Sequence, residues 1–320
     1  MSVDFNLLFD NLTNPALLFF LLGILAVMAG SDLNIPTNSS KFISIYLLFS
    51  IGFKGGQELS HEPLTQMVMV NIFFGIALSI LVPVYTFFIL RTRFNIYDAG
   101  AVAASYGSVS AVTFVTAVSF MEANGWNLHG YMVAVMAFME SPAIIMGLLL
   151  MTWFDSKKEC SISKSSALTH SLTNGSVFLI LGSLIIGYLA DAKQAEGIKP
   201  FTNDLFKGFL AVFLLDMGIT SGRKLKSFFS FGAFPFLFAI VIPLVNGTFT
   251  AWFSQYITPD PGNRFMFAIL AASASYIAVP AALKISVPKA NPGLFLPMAL
   301  AVTFPINITI GMPLYACFIK

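Results

Sequence analysis

Ala103-Ala104-Ser105-Tyr106-Gly107-Ser108-Val109-Ser110-Ala111-Val112-Thr113 lies in the middle of Asp98–Glu122, a stretch long enough to cross a bilayer. Its centre is small and hydroxylated, which a span that only had to sit in lipid would not need. A second stretch, Ile269–Ala282, repeats the Ala-Ala-Ser opening at Ala271-Ala272-Ser273 and carries Ala274, Ser275 and Tyr276 behind it. In lipid every backbone N–H and C=O must find a partner, so non-helical backbone survives only where it is buried or lines a cavity. Tyr106-Gly107-Ser108 and Ser273-Ala274-Ser275-Tyr276 are where each helix is expected to break. Gly107 would accept unusual backbone angles, and Ser105, Ser108, Ser110, Ser273 and Ser275 could satisfy the groups set free. The competing reading is close helix packing through small residues. That reading accounts for one such stretch more easily than for two at matching places.

Working outward, the chain of 320 residues is 57% hydrophobic and 10% charged, with a mean hydropathy of +0.82. A soluble domain is about a quarter charged; this composition is that of a polytopic membrane protein. The net charge of +2 comes without a basic tract, which argues against nucleic-acid binding. Cys160 and Cys317 lack metal-site spacing, and no disulfide is expected. The first 14 residues hold Asp4 and Asp10 but no Lys or Arg, so no cleavable signal peptide is expected. The chain has no phosphate-cradling Gly-rich loop followed by Lys, no HExxH and no CxxC, so it reads as no enzyme. Its three histidines fall in loops or at span ends, where solvated surface is the ordinary role.

Ten spans are predicted, at about 15–33, 41–57, 64–90, 98–121, 130–153, 172–190, 203–220, 228–256, 264–284 and 293–318. With the N-terminus outside, eleven Lys and Arg fall in inside segments and six outside. Both termini are therefore expected outside. Residues 1–154 form a first repeat of five spans, 155–170 a cytoplasmic linker, and 171–320 a second repeat. Five spans per half invert the second relative to the first. Leu48–Leu59 aligns with Leu214–Leu225, Gly23 with Gly182, Pro83 with Pro243 and Pro142 with Pro305. The glycines of Gly52–Gly56 and Gly218–Gly222 are expected to end spans 2 and 7 and to let helices approach closely. The fold class is all-α: ten transmembrane helices in a five-plus-five inverted repeat, with spans 4 and 9 broken and crossing. Inverted repeats with interrupted helices are the sequence signature of secondary transporters.

Each break leaves a half-helix N-terminus at depth, whose free N–H groups and positive dipole end attract an anion. Glu140 lies mid-span, and a charge there costs on the order of 3 kcal/mol or more. Pro142 frees the carbonyl of Phe138, and a carboxylate beside a bare carbonyl suits Na⁺ or H⁺. Asp216 lies within span 7. Thr303 and Asn307 flank Pro305 and could supply neutral oxygens to a second cation, or merely glue helices together. The expected cation set is Phe138, Glu140, Ser110, Thr113, Asp216, Thr303 and Asn307. No cofactor or transition metal is expected beyond the coupling ion.

Three motifs together resemble the sodium-dependent bicarbonate transporter family: Tyr106–Thr113, Phe138–Ala143 and Ala271–Tyr276. Pro288-Lys289-Ala290-Asn291-Pro292 extends the resemblance to the loop before span 10. The resemblance implies a core and a gate domain, a homotrimer in the bacterial inner membrane, and Na⁺-coupled bicarbonate uptake where helices 4 and 9 cross. It implies an anion at Tyr106, Gly107, Ser108, Val109 and Ser110 and at Ser273, Ala274, Ser275 and Tyr276. PII-like cytosolic regulators occur as partners in the family. Cyanobacterial members tend to have Asp where this chain has Glu140, and a more acidic, Ser/Gly-rich segment where it has Tyr276-Ile277-Ala278. Transport of another anion on the same scaffold is the second reading; a passive channel or sensor is the third.

Overall fold

A computed structural model describes residues 15–61, 65–155 and 175–319, and every regular element among them is helical. The expected cytoplasmic linker beyond Asp155, with Cys160, and the start of the chain lie outside the described residues. In chain order the helices are α1 Pro15–Met28, α2 Thr37–His61, α3 Gln66–Leu90, α4 Ile96–Gly107, α5 Ala111–Ala123, α6 Tyr131–Phe154 and α7 Gly175–Leu189. They continue with α8 Ala192–Lys199, α9 Phe206–Phe228, α10 Ala233–Phe253, α11 Pro261–Ala272 and α12 Ala278–Ser286. The final segment, α13, runs over Pro292–Cys317.

Among the described residues, six segments are long and apolar enough to cross a membrane: Gln66–Leu90, Ile96–Ala123, Tyr131–Phe154, Lys193–Leu225, Ala233–Tyr256 and Pro292–Cys317. They correspond to predicted spans 3, 4, 5, 7, 8 and 10. The other four fall short for different physical reasons. The apolar parts of spans 1 and 6, Leu17–Met28 and Phe178–Leu189, are shorter than a bilayer is thick. Span 2 is long enough at 25 residues, but α2 carries Lys41, Lys54 and Glu58. Span 9 is divided into α11 and α12, each too short alone.

The helices form two packed groups. In one, α1 lies along α9 and α2 along α7, with α2 also against α9. Glycines set this spacing. A Cβ on Gly218 would stand 2.1 Å from the Phe20 carbonyl oxygen, and one on Gly56 2.1 Å from that of Leu184. These backbones touch directly, as small residues allow in membrane helices. The glycines of Gly52–Gly56 and Gly218–Gly222 therefore lie inside continuous helices and do not end them. Gly182 faces open space; Gly52 meets α7 at Ile180 and Ser183 instead. In the second group α3, α4 and α6 pack together, α10 packs on α11 and on α13, and α5 packs on α11.

Three prolines shape α13. Pro297, Pro305 and Pro313 each withhold an N–H from the helical ladder. Met298–Thr303 and Asn307–Gly311 wind as π-helix between them, a geometry that accommodates such interruptions. By contrast, α3, α6 and α10 continue through Pro83, Pro142 and Pro243.

Candidate functional site

The two small, hydroxylated stretches meet. Helix α4 stops at Gly107, Ser108–Ser110 run extended, and α5 starts at Ala111. Ser110 caps α5, its Oγ accepting from the Thr113 amide at 3.2 Å. Such a cap satisfies one of the orphan N–H groups of the first turn. Helix α11 stops at Ala272, and α12 starts at Ala278 after five non-helical residues. There Ser275 Oγ accepts from the Val279 amide at 3.4 Å. The Ser275 amide donates to the Ser105 carbonyl at 2.8 Å. The Ser110 amide donates to Ser273 Oγ at 3.1 Å, whose own proton goes to the Leu270 carbonyl at 3.0 Å. Each interruption thus uses the other to satisfy the backbone that its own helix released.

Helix α13 braces the crossing from behind. Thr303 Oγ1 donates to the Ala239 carbonyl at 2.7 Å and accepts from the Tyr106 hydroxyl at 2.7 Å. Asn307 Nδ2 donates to the Ala272 carbonyl at 2.8 Å, and Asn246 Nδ2 of α10 to the Ala271 carbonyl at 3.2 Å. These amides cap carbonyls at the end of α11 that no further helical turn can reach. Tyr106, Thr303 and Asn307 therefore spend their polar atoms on scaffolding. Asn246 escaped the sequence reading, although a lone amide inside an apolar span was the signal for it.

In front of the crossing lies a cavity. Its walls come from both helix groups. Val109 to Val112 and Val115, Ser275 to Ala278, and Met136, Ala137 and Glu140 of α6 form one side; Ser44, Leu47 and Leu48 of α2, Ile180 of α7 and Phe213 of α9 form the other. The first residues of α5 and α12 are thus in the wall, so two helix N-termini open on one space. Glu140 is 8% exposed, and its carboxylate makes no hydrogen bond or salt bridge among the described residues. The Tyr276 hydroxyl is close to Ser110 but outside hydrogen-bonding geometry with it, and it is buried without a partner.

Of the residues singled out from the sequence, the cavity gathers Val109, Ser110, Ser275, Tyr276 and Glu140. Gly107, Ser108, Ser273 and Ala274 form the buried layer behind it. Gly107 has ordinary helical angles, since the positive-φ glycines are Gly30, Gly125 and Gly232. Its small size is what matters, because a Cβ there would lie 2.0 Å from Pro83 Cγ. Thr113 is buried one turn into α5. The Phe138 side chain is 45% exposed and points away from the cavity wall. Asp216 lies apart from the cavity, where its Oδ2 accepts from Ser40 Oγ. Nor is His129 free surface: its Nε2 is 3.5 Å from Asp260 Oδ2.

A profile of the Na⁺-dependent bicarbonate transporter superfamily matches residues 15–320. The chain belongs to that superfamily. No curated protein matches the chain. Membership in the bicarbonate transporter superfamily makes this a multi-pass membrane transporter and no enzyme. By chemistry alone, two helix N-termini suit an anion and an unpaired carboxylate suits a cation.

Proposed function

We propose that the protein is a secondary active transporter that takes up a small anion, bicarbonate before others, together with Na⁺ by alternating access. The observation that carries this is the convergence of the α5 and α12 N-termini on the cavity that Glu140 lines. The anion would rest on the amides at Ala111–Val112 and Tyr276–Ala278, since those of Ser110 and Ser275 are taken up by the crossing itself. Na⁺ would rest against Glu140, with the hydroxyls of Ser110 and Ser275 within the same cavity. Without a cation the Glu140 charge repels the substrate, so anion and cation bind better together than apart. Asp216, Thr303 and Asn307 fall outside this proposed cation set because their side chains have other partners.

The wider frame of this reading is a five-plus-five inverted repeat of ten crossings, with residues 1–154 and 171–320 as its halves and both termini outside a bacterial inner membrane. The reciprocal packing of α1 on α9 and α7 on α2 supports it, because an inverted repeat exchanges these two pairs. One Na⁺ per bicarbonate moves no net charge, and a second Na⁺ would add about 2.3 kcal/mol per 100 mV of membrane potential.

The test is uptake of radiolabelled bicarbonate into proteoliposomes with an inward Na⁺ gradient, against the same vesicles in choline. Accumulation only with Na⁺ is the expected result; equal uptake in both would overturn Na⁺ coupling. The partnerless Tyr276 hydroxyl favours a second reading, a different hydrogen-bond-accepting anion on the same scaffold. Na⁺-dependent thermal stabilisation by another anion, with none by bicarbonate, would select it.

A further inference from the structure

A second space lies beside the first, on the same three helices. It is lined by Ser50, Ile51 and Lys54 of α2, Val118 and Glu122 of α5, and Phe206 and Lys207 of α9, with Thr202 and Asn203 over it. The central cavity touches Leu47, Val115 and Phe213 of those helices. The steps Leu47–Ile51–Lys54 and Val115–Val118–Glu122 are three or four residues long, so each keeps to one helix face. Along α2 and α5 the two spaces are therefore about one helical turn, roughly 5 Å, apart, and along α9 about two turns. What separates them is apolar and dry: Leu47, Ile51, Val115, Val118 and Phe213 are each at most 3% exposed.

At the open end of this second space stands Glu122. Its Oε1 is 2.8 Å from Lys54 Nζ, and its Oε2 is 3.4 Å from Lys207 Nζ. Lys54 and Lys207 belong to α2 and α9 of one helix group, and Glu122 to α5 of the other. One carboxylate thus ties two helices of the first group to the second. The three side chains are each at least one-third exposed, so this tie is wet and salt-screened, unlike a buried ion pair.

We propose that this line of residues is the access route to the central cavity and that Glu122 is its latch. This rests on the reading of the central cavity as the transport site. Opening the route requires α2 and α9 to withdraw from α5, which parts the apolar turn and breaks both ion pairs in one motion. Closing it re-forms them. An anion entering here meets Lys54 and Lys207 first, and a carboxylate-like anion can replace the Glu122 carboxylate between them.

The test is thiol labelling at Ser50, which is 1% exposed between mouth and cavity. In a background lacking Cys160 and Cys317, Ser50→Cys is exposed to a membrane-impermeant methanethiosulfonate in proteoliposomes, without Na⁺ or bicarbonate. Labelling should quicken about tenfold when Glu122→Gln is added. The charge exchange Glu122→Lys with Lys54→Glu and Lys207→Glu should slow it again, which a merely misfolded variant would not do. Raising choline chloride should quicken labelling with Glu122 present and change little in Glu122→Gln. Equal labelling rates with and without Glu122→Gln would overturn the latch. Because the assay contains neither proposed substrate, its outcome is independent of whether bicarbonate and Na⁺ are the cargo.

Discussion

The two interruptions that cross at the site are built differently. The first is three residues long, Ser108–Ser110, and Ser110 caps the helix that follows at 3.2 Å. Behind it Gly107 fits against the Pro83 ring with no room for a single extra carbon. The second is five residues long, 273–277, and leads into α12, a nine-residue helix whose N-cap residue, Ile277, makes no cap bond, so that Ser275 Oγ meets the Val279 amide instead at 3.4 Å. It also places a partnerless phenol, Tyr276, at the cavity. The first interruption is fixed by sterics and capping, the second by hydrogen bonds, with one cavity-facing hydroxyl left over. The first therefore reads as frame, and the second as the place where substrate choice is made.

The largest expected break in this contrast is at Gly107. Gly107→Ala drives a methyl into Pro83, inside helix packing that cannot yield easily; overpacking of this kind costs about 1–3 kcal/mol. The thermal unfolding midpoint in detergent should fall by several degrees, and Gly107→Leu should not accumulate as folded protein. Ser275→Gly, at the aligned position of the second interruption, should leave the midpoint within about a degree. If both midpoints fall equally, the two interruptions do not differ as frame and selector.

Next is the helix cap. Ser110→Ala should cost about 1 kcal/mol, the ordinary worth of an N-cap side chain, and weaken anion binding with it, read as a higher half-saturating bicarbonate concentration. Tyr276→Phe sharpens the contrast from the other side. It removes a hydroxyl that bonds to no protein group, so the midpoint should hold or rise slightly, while anion selectivity in competition uptake should shift. An unchanged competition profile would take Tyr276 out of the binding account.

A pH-dependent effect lies at the far ends of the same two arms. Asn95 caps α4 by accepting from the Asp98 amide at 2.9 Å, and Asp260 caps α11 by accepting from the Asn263 amide at 2.7 Å. Burial works to raise the Asp260 pKa, but the His129 imidazole and the Asn263 amide outweigh it and hold the carboxyl below its usual range. A depressed carboxyl pKa stabilises the fold above the unfolded value, about 4, and that stability is lost as pH falls through the folded value. Asp260→Ala should therefore lower the midpoint by a few degrees at pH 7 and by less in acid. Asn95→Ala should cost the same at both. Parallel pH profiles for the two variants would contradict the difference.

Much of this was legible before any coordinates. The paired Ala-Ala-Ser openings located both interruptions, because small hydroxylated residues have no reason to sit in a lipid-facing span. Glu140 announced itself as a lone charge at depth. What the sequence hid was pairing. Nothing in Thr303 or Asn307 says that their polar atoms are taken up by the Ala239 and Ala272 carbonyls. Asp216 looked like Glu140 until Ser40, 176 positions away, proved to hold it. Gly107 suggested backbone freedom, while the need was space for a proline ring from another helix. Helix length misled as well, since α2 is continuous through glycines that read as its end. Long-range partners decide each of these, and periodicity along one chain does not carry them.

The central claim is that Glu140 and the paired helix N-termini form one site in which cation and anion stabilise each other. Linkage makes that directly measurable, since each ligand must tighten the other by the same factor. The measurement is calorimetric titration of bicarbonate into the detergent-solubilised protein across a series of Na⁺ concentrations at constant ionic strength, for the wild type and for Glu140→Gln. The account predicts a bicarbonate Kd that falls as Na⁺ rises in the wild type and stays flat in Glu140→Gln. A wild-type Kd that does not change with Na⁺, or a Glu140→Gln protein with the same Na⁺ dependence as the wild type, would contradict it.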